Sequence, residues 1–259
     1  MKNKYEIKTV DAGNVDENGF FCYMSKRKDL GYKQKREWLE ARFAEGMKIK
    51  IIHEVGGRDT AFIECVPGEY AWRAVHAAGY MFIHCLWVVG KGKGKGYGKL
   101  LIEECIKDAR AQKMKGVAML TSDRTWLAGK DIFERNGFVE VASAPPSFQL
   151  MATRFGSGPE PSLPQNWEER ARSFGRGITV TRTPQCPYVE NATNAILGFA
   201  KERKIKSKVV EFKTAKEVQE GAPSAYGVFG TVFDGRLLAY YCLLPKDFEK
   251  LMQEQKKGE

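Results

Sequence analysis

The feature that most constrains this chain is a stretch in which every second residue is glycine. Residues 90–98 read GKGKGKGYG. Residues 80–89, before this stretch, are almost all apolar, and residues 100–109, after it, place apolar side chains at helical spacing. This order predicts a buried strand, a glycine-rich turn and the N-terminus of a helix. Because glycine lets backbone N–H groups approach an anion and the helix dipole favours negative charge, the turn is predicted to bind phosphate.

The spacing of these glycines decides between phosphate-binding motifs. All five occupy even positions, from residue 90 to residue 98. A P-loop needs two glycines five residues apart, and the dinucleotide fingerprint needs a gap of three, so both motifs are excluded. The pattern that fits is a basic residue, two residues, glycine, one residue and glycine, which residues 93–98 supply.

The loop and its flanks resemble the core signature of the GNAT superfamily of N-acetyltransferases. The aliphatic positions that flank the loop in that family are occupied here by Leu86, Val88, Leu100 and Leu101. A second family block is a helix that ends in an aromatic residue, followed by three residues and then Gly-Phe. Residues 133–138, FERNGF, resemble that block and stand in the expected order after the loop. The resemblance covers residues 15–155.

This resemblance implies a mixed α/β fold of the GNAT acyl-CoA N-acyltransferase type, with acetyl-CoA as the cofactor. In that family the loop amides hold the pyrophosphate, and the end of the preceding strand binds the pantetheine arm and polarises the thioester carbonyl. A fixed N–H donor is effective there because acyl transfer builds negative charge on the carbonyl oxygen. The cofactor-binding residues that the resemblance implies are Leu86, Trp87, Val88, Lys93, Gly94, Lys95, Gly96, Tyr97, Gly98, Lys99 and Lys130.

The sequence departs from the family where the leaving thiolate receives its proton. The family's frequent general acid is a tyrosine, whereas the matching position here is Phe133. Tyr97, Tyr70, Tyr80 or water would have to take this role. The alternative is a domain that binds acyl-CoA without efficient catalysis.

An amine acceptor is largely protonated at neutral pH, so a base must remove its proton. The candidates are Glu64, Glu69, His84 and Asp123. Glu69 has the best context, because it lies in a long connection between a predicted hairpin and the buried strand, and long loops often carry function. The predicted acceptor-binding residues are Tyr70, Trp72, Arg73 and His84. Structural alternatives are a solvated strand position for Glu64, a core histidine for His84 and a helix N-cap for Asp123. The aromatic residues Tyr70 and Trp72 could instead be core anchors.

The composition changes sharply at residues 156–164, GSGPEPSLP, which cannot continue a helix or a central strand. The predicted division is residues 1–155 for the first domain, 156–176 for a linker with a short helix, and 177–259 for the second domain. The second domain has the predicted order βαβαββα and resembles a small thioredoxin-like α/β domain. Its sequence CPYV resembles the glutaredoxin motif with valine in place of the second cysteine, so Cys186 is either a monothiol redox residue or part of an inactive packing module. A GNAT core with such a module resembles the YoaP-like acetyltransferases.

The net charge of +10 and the six cysteines narrow the function classes further. No two cysteines lie within four residues, so CxxC-type zinc or dithiol sites are not expected. This use of cysteine predicts a reducing compartment. The chain has no run of 18 apolar residues and no apolar leader, so neither a membrane span nor a secretory signal is predicted. Basic stripes interleaved with stacking aromatics are absent, so nucleic acid is not an expected partner.

These observations together predict a cytoplasmic, acetyl-CoA-dependent N-acetyltransferase that uses no metal. It would transfer the acetyl group to a small-molecule or protein amine by direct attack in a ternary complex. The alternatives are a non-catalytic acyl-CoA-binding sensor and a monothiol redox protein centred on Cys186. The acceptor and the oligomeric state stay open at this stage.

Overall fold

The structure is a computed structural model that describes residues 4–124, 126–241, 243 and 245–257. Within this range the chain forms two compact units. The first comprises the residues up to Arg27, residues 36–71 and residues 75–163. The second comprises residues 28–35, residues 72–74 and the described residues from Pro164 onward. The second unit is therefore discontinuous in sequence.

The first unit is built on a seven-stranded mixed sheet. Its strands are β1 (Tyr5–Val10), β2 (Lys48–Glu54), β3 (Asp59–Pro67), β4 (Tyr80–Val88), β5 (Gly116–Ser122), β6 (Val139–Ala144) and β7 (Phe148–Arg154). Their order is β1-β2-β3-β4-β5-β7-β6, in which β4 and β5 are parallel and all other neighbours are antiparallel. The central strands read as nearly continuous apolar runs because helices cover both faces of the sheet there.

Four α-helices are interspersed with these strands along the chain: α1 (Val15–Asn18), α2 (Leu30–Ala44), α3 (Tyr97–Ala111) and α4 (Asp131–Glu134). Helix α3 buries Leu101, Ile102, Cys105 and Ala109 on one stripe, at the spacing of an amphipathic helix. That stripe packs against β3, β4 and β5 in the core of the unit. Trp38 of α2 packs on the opposite face of the sheet, with its ring 6.2 Å from that of His84.

Strands β4 and β5 separate after a short paired stretch. They pair only from Tyr80, opposite Gly116, to Ile83, opposite Met119. Strand β4 continues to Val88, however, with a bulge at His84, because β3 pairs its Glu64 with Cys85 and its Cys65 with Ile83. Beyond the bulge, the edge of β4 that faces β5 forms no ladder with it, which leaves a gap in the middle of the sheet.

One predicted helix of the first unit is much shorter than expected. The pattern of residues 126–135 predicts a helix throughout, but α4 begins only at Asp131. Trp126 has φ of +82°, in the left-handed region that an α-helix cannot contain. The segment before α4 is therefore a turn, and its residues form part of the site described below.

The second unit holds a four-stranded sheet with its own core. Its elements are α5 (Trp167–Arg172), β8 (Ile178–Arg182), α6 (Val189–Glu202), β9 (Ser207–Glu211), α7 (Ala215–Gly221), β10 (Phe229–Phe233), β11 (Arg236–Ala239) and α8 (Pro245–Lys257). The strand order is β11-β10-β8-β9, with β8 parallel to β9 and the other pairs antiparallel. Helix α6 buries an amphipathic face that includes Ile196 and Phe199. None of the described helices in either unit is long and apolar enough to cross a membrane.

Candidate active site

A cleft of about 990 Å³ lies beside the gap between β4 and β5. Val88 at the end of β4 and the N-terminus of α3 form one wall, and the connection from β5 to α4 forms the other. The predicted cofactor-binding residues that line it are Val88, Lys93, Gly94, Gly96, Tyr97, Gly98, Lys99 and Lys130. The tertiary structure thus brings eight of the eleven to one concave surface.

The backbone of the glycine loop is exposed to this cleft. Gly94 and Gly96 have φ of +78° and +79°, and a Cβ at either position would meet nothing within 4 Å. Gly96 is the N-cap of α3 and has no side-chain cap. The N–H groups of the first helical turn have no acceptor within the helix, so they and the helix dipole form an anion-binding surface.

Two other glycines hold the loop close to its neighbours. A Cβ on Gly98 would lie 2.6 Å from Cδ1 of Ile132 on α4, and a Cβ on Gly92 would lie 3.0 Å from Cβ of Thr60 on β3. The alternating glycines therefore have two functions. Gly94 and Gly96 supply the backbone conformation, while Gly92 and Gly98 permit close packing.

Basic side chains predominate around the cleft. The cationic side chains that line the cleft are Lys93, Lys99, Lys130, Arg124 and Arg135. Two carboxylates, Asp123 and Asp131, line it with them. The nearest ion pair of Arg135 in the described residues is loose, at 3.7 Å from Asp131. Arg124 and Arg135 were not predicted from the sequence, although Arg135 lies inside the FERNGF block and that position was a usable signal. The excess of positive charge favours a polyanionic ligand.

Lys95 and Tyr97 contact the end of β2. The Lys95 ammonium lies 2.6 Å from Oε1 of Glu54, and the Tyr97 hydroxyl donates to the same oxygen at 3.1 Å. The hydrogen bond from Lys95 holds the pKa of the Glu54 carboxyl below its ordinary value. Burial, together with the bond to Glu54, raises the pKa of the Tyr97 phenol. Lys95 is not among the residues that line the cleft, and Tyr97 is held at its hydroxyl by a carboxylate.

Glu64 and His84 meet inside the sheet, on the face opposite α3. The Nδ1 atom of His84 lies 3.2 Å from Oε1 of Glu64, and both side chains are almost fully buried. Aromatic rings of Trp38 and Phe82 lie beside the imidazole, with centroids 6.2 and 6.0 Å away. Because His84 is the bulged residue, this pair lies where β4 separates from β5. The sequence named both residues but did not indicate that they pair.

The two predicted cofactor-binding residues of β4 that do not line the cleft, Leu86 and Trp87, point to opposite faces of the sheet. Leu86 is buried in the core beneath α3, whereas Trp87 has 44% of its surface exposed. The Trp87 ring lies 6.3 Å from that of Phe21, which sequence reasoning did not single out. Phe133, at the position where the family carries its acid, is fully buried against Phe138.

The predicted base Glu69 and the predicted acceptor-binding residues Tyr70, Trp72 and Arg73 differ in their exposure to solvent. Glu69 is exposed and accepts a hydrogen bond at 3.3 Å from the backbone N–H of Gly79, and Tyr70 is also exposed. Trp72 and Arg73 are buried and group with the second unit. There, Arg73 donates to the side chain of Gln185 and stacks on Tyr226, at 5.0 Å from the ring centroid. Because the side chains of Trp72 and Arg73 are buried, they are not exposed to an acceptor in the way that the sequence prediction requires.

The cysteines occupy two kinds of environment. Cys186 is half-buried in the turn between β8 and α6, where its carbonyl accepts from the N–H of Val189. Cys65 and Cys105 are buried, with their sulfur atoms 3.0 Å apart, and burial raises the pKa of the Cys65 thiol. Cys242 lies outside the described residues. In the described part of the chain, no group of three or more His, Cys, Asp or Glu side chains is arranged to hold a metal ion.

Comparisons with known proteins identify the family of this chain. The model of the acetyltransferase (GNAT) family matches residues 18–138. The uncharacterized N-acetyltransferase YoaP of Bacillus subtilis (strain 168) is 31% identical over 247 residues, which cover 94% of this chain and 96% of YoaP. The chain therefore belongs to the GNAT family of acetyltransferases. It is an N-acetyltransferase, and its acetyl donor is acetyl-CoA.

Solved structures resemble only part of the chain. The PaiA N-acetyltransferase of Thermoplasma acidophilum, in complex with coenzyme A, is 13% identical with a TM-score of 0.42 and covers 59% of this chain and 100% of its own. A GNAT family acetyltransferase of Brucella melitensis, in complex with acetyl-CoA, is 17% identical with a TM-score of 0.38 and covers 62% of this chain and 92% of its own.

Proposed function

We propose that this enzyme transfers the acetyl group directly to the amine of a small molecule or protein within a ternary complex. The observation that carries the proposal is the gap between β4 and β5, which opens beside the N-terminus of α3. A donor bound with its phosphates at the helix would place its reactive end at the gap. An acceptor on the opposite face of the sheet would then meet it there, and the gain comes mainly from orientation.

The glycine loop is proposed to hold the pyrophosphate of acetyl-CoA. The N–H groups of residues 96–98 point outward from the start of α3, and Gly94 and Gly96 leave room for phosphate oxygens. Lys93, Lys99 and Lys130 lie around the same cleft and would neutralise the remaining charge. Lys95 supports this site indirectly, because Glu54 already compensates its charge.

The edge of β4 beyond the bulge is proposed to orient the thioester. Residues 86–88 form no ladder with β5, so their backbone groups on that side can bind an extended pantetheine arm. Acetyl-CoA supplies an activated acetyl group, and a backbone N–H of this edge would stabilise the negative charge that develops on its carbonyl oxygen.

The Glu64–His84 pair is proposed to accept the proton of the ammonium. The imidazole is the group at the bulge, and the Glu64 carboxylate holds it and balances the positive charge it would gain. The amine nitrogen then attacks the carbonyl carbon and gives its second proton to water, the C–S bond breaks, and the thiolate leaves. Phe133 cannot donate a proton, and the Tyr97 hydroxyl is bonded to Glu54. We therefore assign the protonation of the CoA thiolate to water. A thiol has an ordinary pKa of about 8.5, so its thiolate leaves without a strong acid.

Amine-dependent release of CoA tests this mechanism. Glu64→Gln should lower kcat roughly a hundredfold, since general base catalysis contributes about that much, and should leave the KM for acetyl-CoA unchanged. Glu69→Gln is the matched control, because it makes the same chemical change at an exposed glutamate, and it should retain activity. Full activity of Glu64→Gln would refute the assigned base. Absence of CoA release with every amine tried would refute direct transfer.

The second unit is proposed to be a thioredoxin-like accessory module. Its element order from β8 to α8 is βαβαββα, and its inner strand β8 is parallel to β9 and antiparallel to β10, which supports this assignment. Cys186 lies just before α6, where a module of this kind carries its reactive thiol. If the unit is an accessory, Cys186→Ser should leave the rate of acetyl transfer unchanged. A loss of that activity would instead favour a function centred on the thiol.

A further inference from the structure

We propose that Trp87, with Phe21, forms the acceptor-binding surface, and that the acceptor is a small arylalkylamine, in which an alkyl chain separates the amino group from an aromatic ring. This inference rests on the proposed function, because it names the substrate class for the same site. It concerns the Trp87 side chain, whereas the backbone of the same residue is proposed above to face the donor.

Strand register places these groups on one face of the sheet. In an antiparallel pair, residues directly opposite each other project to the same side. Trp87 is opposite Phe62, and Cys85 is opposite Glu64. Phe62 and Glu64 are two residues apart on β3, so all four side chains share a face. The residues that alternate with them along β3, namely Ala61, Ile63 and Cys65, belong to the core beneath α3, so the shared face is the one away from that helix.

Three aromatic rings are arranged in steps on this face. Phe62 is buried and forms the floor, and Phe21 stacks on it with ring centroids 4.6 Å apart and an interplanar angle of 26°. Trp87 meets the edge of Phe21 at an angle of 65° and remains largely exposed. A flat ligand can therefore lie against the indole while Phe21 limits its position, since aromatic pairs favour such offset and edge contacts.

The segment that carries Phe21 is held in an unusual backbone conformation. Phe21 has φ of +74° and Tyr23 has φ of +62°, and non-glycine residues in this region cost about 1 kcal/mol or more each. The fold thus maintains Phe21 at this position despite backbone strain. Strain of this kind is typical of binding segments.

The chemistry of the face changes along its length. The Glu64–His84 pair lies at one end of the face and the exposed indole of Trp87 at the other. Glu64 and Trp87 are diagonal neighbours on β3 and β4, and such neighbours are about 7–8 Å apart. An arylalkylamine spans such a distance, with its ammonium toward Glu64 and its ring on Trp87. A protonated amine is also attracted to the indole face before it reaches the base. A polyamine has no ring to stack on the indole, so it would bury less apolar area on this surface.

Acceptor kinetics with matched amines test this inference. The probes are 2-phenylethylamine, hexylamine, spermidine and a lysine-containing peptide, each assayed by release of CoA. We expect the highest kcat/KM for 2-phenylethylamine, and Trp87→Ala should raise its KM about tenfold with an unchanged KM for acetyl-CoA. Trp87→Phe should restore part of the loss. Val139→Ala, which trims another exposed apolar strand residue, is the control and should change neither constant.

The outcomes separate this inference from the proposed function. If some amine is acetylated but its KM is insensitive to Trp87, the acceptor surface is wrong and direct transfer stands. The same holds if spermidine or the peptide is the best acceptor. If no amine releases CoA, the proposed function itself fails. Circular dichroism confirms that each variant is folded, and Phe21→Leu should repeat the selective rise in acceptor KM if a Trp87 variant does not fold.

Discussion

At the scale of single residues, Gly96 has the strictest requirement in the site. It combines φ of +79° with the N-cap position of α3, where no side chain satisfies the helix N–H groups. Only a residue without Cβ adopts that conformation at no steric cost, because other residues lose about 1–2 kcal/mol in the left-handed region. The direction of the N–H groups at the start of the helix depends on this residue.

Replacing this glycine should weaken donor binding. We expect Gly96→Ala to raise the Kd for CoA about tenfold, because relief of the strained φ would turn the N–H groups away from the cleft. Isothermal titration with CoA measures the effect. Gly129→Ala is the matched control, since Gly129 also lines the cleft, has no positive φ and has open space at its Cβ position. Equal effects of the two substitutions would contradict the conformational argument.

At the scale of elements, one carboxylate links β2 to both sides of the helix N-cap. Glu54 at the end of β2 binds Lys95, before Gly96, and Tyr97, after it. The position of the loop therefore depends on these two side-chain contacts as well as on its glycine-rich backbone. Local sequence predicted Lys95 and Tyr97 as ligand-binding residues, whereas the tertiary contacts indicate that their side chains support the loop.

A conservative change at Tyr97 distinguishes support from chemistry. Tyr97→Phe removes only the hydroxyl bond to Glu54, a contribution of about 1 kcal/mol, and keeps the charge of the loop. We expect the KM for acetyl-CoA to rise about fivefold and kcat to stay within about twofold. Steady-state kinetics separate the two constants. Tyr70→Phe serves as the control for loss of a phenol at an exposed position. A hundredfold fall in kcat would show instead that Tyr97 is the general acid.

At the scale of the whole molecule, the net charge of +10 has a partial structural explanation. Five of the basic side chains line the cleft, and only two carboxylates line it with them. Other basic residues form ion pairs away from it, such as Lys50, which lies 2.8 Å from Glu104 of α3. The cleft therefore carries part of this surplus, at the place where a polyphosphate ligand would bind.

This distribution predicts a salt-dependent affinity for the donor. Raising sodium chloride from about 50 mM to about 300 mM shortens the Debye length by more than half and should raise the KM for acetyl-CoA several-fold. The KM for an amine acceptor should change less. Arg135→Ala should flatten the dependence, because it removes one lining cation. An unchanged salt dependence in that variant would exclude Arg135 from the donor site.

Much of the first unit could be predicted because its signals are local. The apolar run of β4, the glycine loop and the stripe of α3 each follow from residues close together in the chain. The turn before α4 could not be predicted, because the left-handed backbone of Trp126 has no signature in a pattern that reads as helical. The pairing of Glu64 with His84 was also missed, since it depends on a bulge that shifts the register of two strands.

The sequence by itself determined the family and predicted the glycine loop as a phosphate site, because glycine spacing and helix patterning act over a few residues. Only the tertiary structure decided which predicted residues share a site. It separated β4 from β5, brought Arg124 and Arg135 to the cleft and grouped Trp72 and Arg73 with the second unit. The physical reason is that backbone conformation depends on local sterics, whereas burial and pairing depend on residues that are distant in the chain.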